Sequence, residues 1–167
     1  MRKKSIMLGL VMAMLIGVLA GCGGPKSDVP MFAMFPDKYP FNKIEVMEST
    51  LKAKVGETPT LEINSSPMFN MDKLFVELAA GDNGIIIVPK EQFDMFASQE
   101  GYIPLDDTFK KEDYPTGVYK DQLVGVPVSD SKWLTDLGYK GPPMMAFVPF
   151  RAKNKEMAKQ VLKAIMQ

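Results

Sequence analysis

The chain has no histidine and a single cysteine, Cys22. Catalysis by Ser-His-Asp or Cys-His groups and the usual zinc sites need imidazoles or clustered thiolates, so both are excluded. Carboxylates stand in adjacent pairs at Asp106-Asp107 and Glu112-Asp113. Neighbours on one polar loop do not converge on a single substrate bond, and they read as solvated loop residues rather than as a general acid and base. No glycine-rich phosphate loop is present. Of the 14 methionines, Met1, Met7, Met12 and Met14 lie in the first 21 residues and the others are dispersed. They lack the spacing of a copper site and read as core filling. The sequence therefore predicts no enzyme, no metal and no cofactor, and chemistry is expected at Cys22 alone.

The residues before Cys22 fall into three zones: basic Arg2, Lys3 and Lys4, an apolar run from Ile6 to Val18, and small residues next to the cysteine. This is the layout of a secretory signal, and the run is shorter than the ~20 apolar residues of a membrane span. Leu19-Ala20-Gly21-Cys22 resembles the lipobox of bacterial lipoproteins. The resemblance implies diacylglycerol with acyl chains of the palmitate class on the Cys22 thiol, cleavage before Cys22, and a chain held at the extracytoplasmic face of the cell membrane. Acyl chains contributing about 0.8 kcal/mol per buried CH₂ make a two-chain anchor essentially permanent.

The expected organisation is a signal over 1–21, the lipidated cysteine and a flexible tether over 22–40, and one α/β domain over 41–167. Gly23, Gly24, Pro25, Ser27 and Pro30 give the tether its composition. Without residues 1–21 the chain has 146 residues, enough for one domain with a core. It then carries 17 basic against 20 acidic side chains, a net charge of −3 that argues against a nucleic-acid partner. With Cys22 committed to lipid there is no disulfide, and packing must supply the stability.

The elements that would position any site alternate in type between Gly and Pro breaks, the punctuation of an α/β fold. Ile44 to Leu51 and Thr60 to Asn64 carry β-branched residues on either side of a turn and are expected to pair as a hairpin. Met71, Leu74, Phe75, Leu78 and Ala79 make one face of a helix, with Asn70 as N-cap and Gly81 beyond its end. Ile85-Ile86-Ile87-Val88 lacks polar alternation and suits a central strand covered on both faces. Pro89 opens a short helix with Phe93, Phe96 and Ala97 inward, stopping near Gly101. Leu123 to Val128 and Met144 to Val148 read as strands, residues 106–121 as loop. Ala158, Val161, Leu162 and Ile165 form the stripe of a final helix capped by Asn154. The expected fold is a single domain with a mixed sheet of four or five strands.

Three segments resemble the extracellular solute-binding proteins of bacterial ABC importers, especially the lipoproteins that bind carbohydrates. They are Leu74 to Val88 continuing through Gln92-Phe93 to Pro104-Leu105-Asp106-Asp107, then Gln122 to Val128, then Ala146 to Asn154 with the terminal helix. The resemblance implies one lobe of a type 2 periplasmic binding protein. Such receptors carry a second lobe between the second and third segments, where this chain has only residues 129–143.

Sugar binding calls for an aromatic face and a few polar groups at strand ends. Trp133, the only tryptophan, is either a stacking platform or a cover for the sheet edge. Ser65 and Ser66 follow a strand, where ligands of open α/β sheets collect, and Ser66 serves equally well as a helix cap. Lys90, Glu91 and Gln92 hold the same place after the next strand, unless they are an ordinary exposed first turn. Two functions follow. One is a membrane-anchored lipoprotein of solute-binding type, accessory to carbohydrate import by an ABC transporter. The other is an interaction module without a small-molecule ligand, docking on a transporter or sensor through Trp133, Tyr139 and Pro142-Pro143.

Overall fold

A computed structural model describes residues 26–36, 43–66 and 68–167. The expected signal over 1–21 and the expected lipidation site at Cys22 lie outside the described residues. In chain order the elements are β1 (Val29–Ala33), α1 (Ile44–Val55), β2 (Leu61–Ser65), α2 (Met71–Ala79), β3 (Ile85–Pro89), α3 (Lys90–Ala97), β4 (Val118–Tyr119), β5 (Gln122–Leu123), β6 (Val126–Pro127), α4 (Lys132–Asp136), β7 (Met144–Phe147) and α5 (Lys155–Met166). The expected mixed α/β fold is present, with a five-stranded sheet in the order β2-β1-β3-β7-β6. β1 pairs parallel with β2 and with β3, and β7 is antiparallel to both β3 and β6.

From β1 the chain steps sideways to β2 and then returns past β1 to β3. Right-handed crossovers in opposite directions put their helices on opposite faces. The core accordingly divides in two. On one face Val29, Met31, Ile85, Ile87 and Ala146 pack under α1, α4 and α5 through Met47, Leu51, Trp133, Leu134, Val161 and Leu162. On the other, Phe32, Ile86, Val88 and Phe147 pack under α2 and α3 through Leu74, Phe93 and Phe96. Ile85 to Val88 are at most 1% exposed, as a run without alternation requires.

Three expectations are corrected. Ile44–Val55 is a helix and forms no hairpin. Its β-branched residues suggested a strand, but Ile44, Met47 and Leu51 also recur at helical spacing. Burial of Met47 and Leu51, both fully covered, settles the conformation. β2 pairs instead with β1, in the register Val29↔Leu61 to Ala33↔Ser65. The tether expected to reach residue 40 therefore contains an interior strand of the sheet, between β2 and β3. Pro30 disguised it, because proline cannot donate to a ladder. It is tolerated here because pairing with β3 starts one residue later, at Met31↔Ile85.

The third correction concerns Leu123 to Val128, which is two short strands. β5 forms a hairpin with β4, inside the stretch expected to be loop, and β6 joins the main sheet. Gly125 lies between them against Phe93, where a Cβ would stand 2.5 Å from the ring. At helix ends the reading was close. Asn70 caps α2, its side chain accepting from the Lys73 N–H at 2.9 Å. Asn154 occupies the N-cap position of α5, but its amide donates to the Asp28 carbonyl at 2.9 Å. Pro89 is the N-cap of α3 rather than its first residue, and α3 ends at Ala97, short of Gly101.

Candidate functional site

The loops after β1 and β3 leave the sheet toward opposite faces, and the crevice between such strands at their carboxyl ends is where open α/β sheets bind ligands. A groove of about 400 Å³ lies there, walled by Pro36, Phe69, Pro142 and Pro143 and floored by Lys90, Glu91 and Gln92 at the start of α3. A second hollow of about 610 Å³ adjoins it, sharing Lys90 and Pro143 and running on to Asp130 and Tyr114. α3 begins without a loop: Pro89 is the last residue of β3 and Lys90 the first of the helix. The Lys90 N–H donates to the Pro143 carbonyl at 2.9 Å, which ties the helix start to the chain entering β7.

Gln92 distinguishes this groove. The residue is 8% exposed, and among the described residues its side chain makes no hydrogen bond. Buried amides are ordinarily paired, whereas this one opens onto the groove and is free to hydrogen-bond what enters it. Lys90 is engaged by Asp94 at 2.5 Å, which leaves its ammonium fixed and partly neutralised. The floor thus offers an amide that both donates and accepts, a carboxylate and a tethered ammonium, and the walls offer proline and phenylalanine faces.

The expected site residues divide. Lys90 and Gln92 come together in the groove. Ser65 and Ser66 lie at the carboxyl end of β2 as expected, but they line neither hollow. Ser66 donates to the Met68 carbonyl at 2.6 Å and caps no helix. Trp133 offers no stacking face. It is 2% exposed, and its indole N–H donates to the Met47 carbonyl and the Thr50 hydroxyl, each at 3.2 Å. α4 carries it onto α1, so it covers the helical layer. Tyr139 is also buried, which leaves only Pro142 and Pro143 of the expected apolar docking patch at the surface. Phe69 and Pro36 went unnoticed because walls drawn from separate loops leave no spacing signal, and Pro142-Pro143 was expected only as part of a docking patch.

A further groove of about 370 Å³ lies at the opposite edge, beside Asp28, Glu62 and Asp82. Its charged groups largely satisfy one another. Asp82 accepts from Lys26 at 2.9 Å and from Lys153 at 3.1 Å, and these lysines lower its pKa to about 2. The Thr60 backbone and hydroxyl hold Asp28 below the ordinary carboxylate range. The Ser27 hydroxyl, buried beside them, has no partner among the described residues.

No family model and no curated protein matches the chain. Among solved structures it is similar to an N-glycan transport solute-binding protein from Streptococcus pneumoniae in complex with Man1GlcNAc. Identity there is 17% and the TM-score 0.42, over 62% of this chain and 25% of that one. It is similar also to an ABC substrate-binding protein from Listeria monocytogenes in complex with cycloalternan, at 17% identity and a TM-score of 0.41, over 58% and 27%. A third is a maltose-binding periplasmic protein from Listeria monocytogenes in complex with maltose, at 11% and 0.38, over 60% and 27%. The chain spans about a quarter of the length of these structures.

Proposed function

We propose that this chain is a membrane-anchored, extracytoplasmic lipoprotein of solute-binding type, held by diacylglyceryl-Cys22, whose carboxyl-edge groove takes one side of a carbohydrate. In this role it serves an ABC importer as an accessory and is not an enzyme. The observation that carries the reading is Gln92, a nearly buried residue whose amide has no partner among the described residues and opens onto a groove with apolar walls. A sugar matches that surface: its hydroxyls donate to and accept from an amide and a carboxylate, while its C–H faces pack on Pro36, Phe69 and Pro143. A strongly charged ligand does not, because Lys90 already has Asp94 and Glu91 supplies the opposite sign.

The test is calorimetric titration of the folded protein with a panel of neutral oligosaccharides, beside the variant Gln92→Ala. Binding of at least one member, weakened tenfold or more in the variant, supports the reading. No heat across the panel, from protein shown to be folded by its thermal transition, overturns it.

A further inference from the structure

The strand edge opposite the groove has a surface of different chemistry, formed by the turn after β7. In Pro149-Phe150-Arg151-Ala152 the Ala152 N–H closes onto the Pro149 carbonyl at 3.0 Å, and the Phe150 N–H donates to Gly101 at 2.8 Å. Ala152 is 4% exposed while Phe150 is 66% exposed, so a pinned turn holds an aromatic side chain out of the core. Cations surround it. The Lys155 ammonium lies 4.6 Å from the Phe150 ring centre, and Arg151 is at the tip of the turn. Lys153 and Lys26 stand nearby on Asp82.

Of the acids on this edge, Asp82 is held by the two lysines, Asp28 by Thr60, Glu100 by Lys120 and Glu156 by Lys159, while Glu62, beside Lys26 and Lys153, accepts only from the Asn64 amide. Lys54 and Glu57, in and after the last turn of α1, offset each other in charge. Among the described residues Arg151 and Lys155 have no carboxylate partner. The chain also arrives here from its anchor. Cys22 precedes Lys26 by four residues, a span of at most ~14 Å, and β1 starts only three residues after Lys26.

We infer that this edge is a membrane-docking face, in which Phe150 enters the headgroup region of an anionic phospholipid bilayer with Arg151 and Lys155 on its phosphates and the net-positive Lys26–Asp82–Lys153 cluster beside them. The inference rests on the reading of Cys22 as the lipid anchor. An aromatic ring inside a basic rim suits a bilayer boundary, where apolar burial and attraction to anionic lipid add. Docked in this way, the domain turns its carboxyl-edge groove away from the membrane. The tether is then a short stalk, and the anchor and Phe150 together fix the orientation.

The test uses the protein extracted from membranes of producing cells and reconstituted into vesicles of phosphatidylglycerol and phosphatidylethanolamine, or of phosphatidylcholine alone. An environment-sensitive fluorophore is placed at Gln99→Cys, on the same edge as Phe150, or at Met68→Cys, an exposed position at the groove edge. Quenching by nitroxide-headgroup lipid is expected to be strong at position 99 and near zero at 68. It should fall in phosphatidylcholine or high salt, and also on adding Phe150→Ser. Removing one basic side chain, as in Arg151→Gln, should weaken docking about fivefold. Equal quenching at the two positions, or quenching at 99 indifferent to lipid charge and to Phe150→Ser, overturns the docking face. The mass of the N-terminal peptide reports on the anchor separately: an unmodified Cys22 refutes the lipoprotein reading whatever the fluorophores show.

Discussion

Replacing Gln92 with methionine separates a binding role for its amide from a structural one. The two side chains are similar in length and volume, and such exchanges disturb packing little. A buried polar group without a partner costs about 1–3 kcal/mol. The groove lets water reach the Gln92 amide, so only the low end applies, about 1 kcal/mol. Gln92→Met is therefore expected to stabilise the fold by about 1 kcal/mol, a rise in Tm of about 3 °C for a domain of this size. Oligosaccharide affinity should fall by a factor of ten or more in the same variant, because a thioether gives a hydroxyl no comparable partner. Urea denaturation with an unchanged slope, read beside calorimetric titration, measures both. A fall in stability of 1 kcal/mol or more would refute the reasoning, since it would mean that the amide supports the fold rather than waiting for a ligand.

Gly125→Ala places a methyl group 2.5 Å from the Phe93 ring, and Phe93 precedes Asp94 and follows Gln92 on α3; overpacking of this kind costs about 1–3 kcal/mol, and it should weaken ligand binding as well, by tilting the groove floor. Trp133→Ala should cost about 3–5 kcal/mol in urea denaturation and leave the affinity of the surviving folded fraction unchanged, as expected of a ring 2% exposed and remote from the groove. Lys159, which is 8% exposed, pairs with Asp107 at 2.6 Å and with Glu156 at 3.0 Å. This lowers the Asp107 pKa below its ordinary 3.8 and raises that of Lys159 above its ordinary 10.5. The carboxylate's contribution is present above 3.8 and lost as pH falls through its lowered folded value, while the ammonium's is present below 10.5 and lost as pH rises through its raised one. Asp107 is largely exposed, so Asp107→Asn should cost less than about 1 kcal/mol at pH 7, and the difference from wild type should vanish in acid titration below the lowered value.

The α/β class, the fully buried β3 and the stripes of α2, α3 and α5 were legible because each rests on periodicity within one segment. β1 and α1 were misread where local composition and tertiary context disagree. Pro30 and the small residues before it look like linker until β2 and β3 flank them, and Ile44 and Val46 look like strand until Met47 and Leu51 find the sheet. The site was legible only on its floor, since Lys90 and Gln92 directly follow a strand whose burial is written in its sequence. Trp133 shows the opposite case. A lone tryptophan in the segment 129–143 invites a binding role, yet its ring and its N–H are both absorbed by α1, and nothing in the neighbouring residues announces that.

The interval 129–143 decides what such a groove can do. Ser131 caps α4 by accepting from the Leu134 N–H at 3.3 Å, and Trp133 then fastens the helix to α1. Tyr139 closes the return by donating to the Pro142 carbonyl at 2.8 Å. The segment therefore runs back over the helical layer and gives the groove only Pro142 and Pro143 at its rim. Ligand sites usually enclose about 70–90% of a small molecule, whereas a groove open on one side leaves the outer face of a sugar in water. Each 1.4 kcal/mol of burial forgone is about a tenfold loss of affinity, so the chain by itself should bind weakly and fix orientation more than it retains. Tight capture would need a second wall from another molecule, set against Pro142 and Pro143 at the rim. On the docked orientation inferred above, that rim faces away from the bilayer, where a partner or an incoming glycan can reach it.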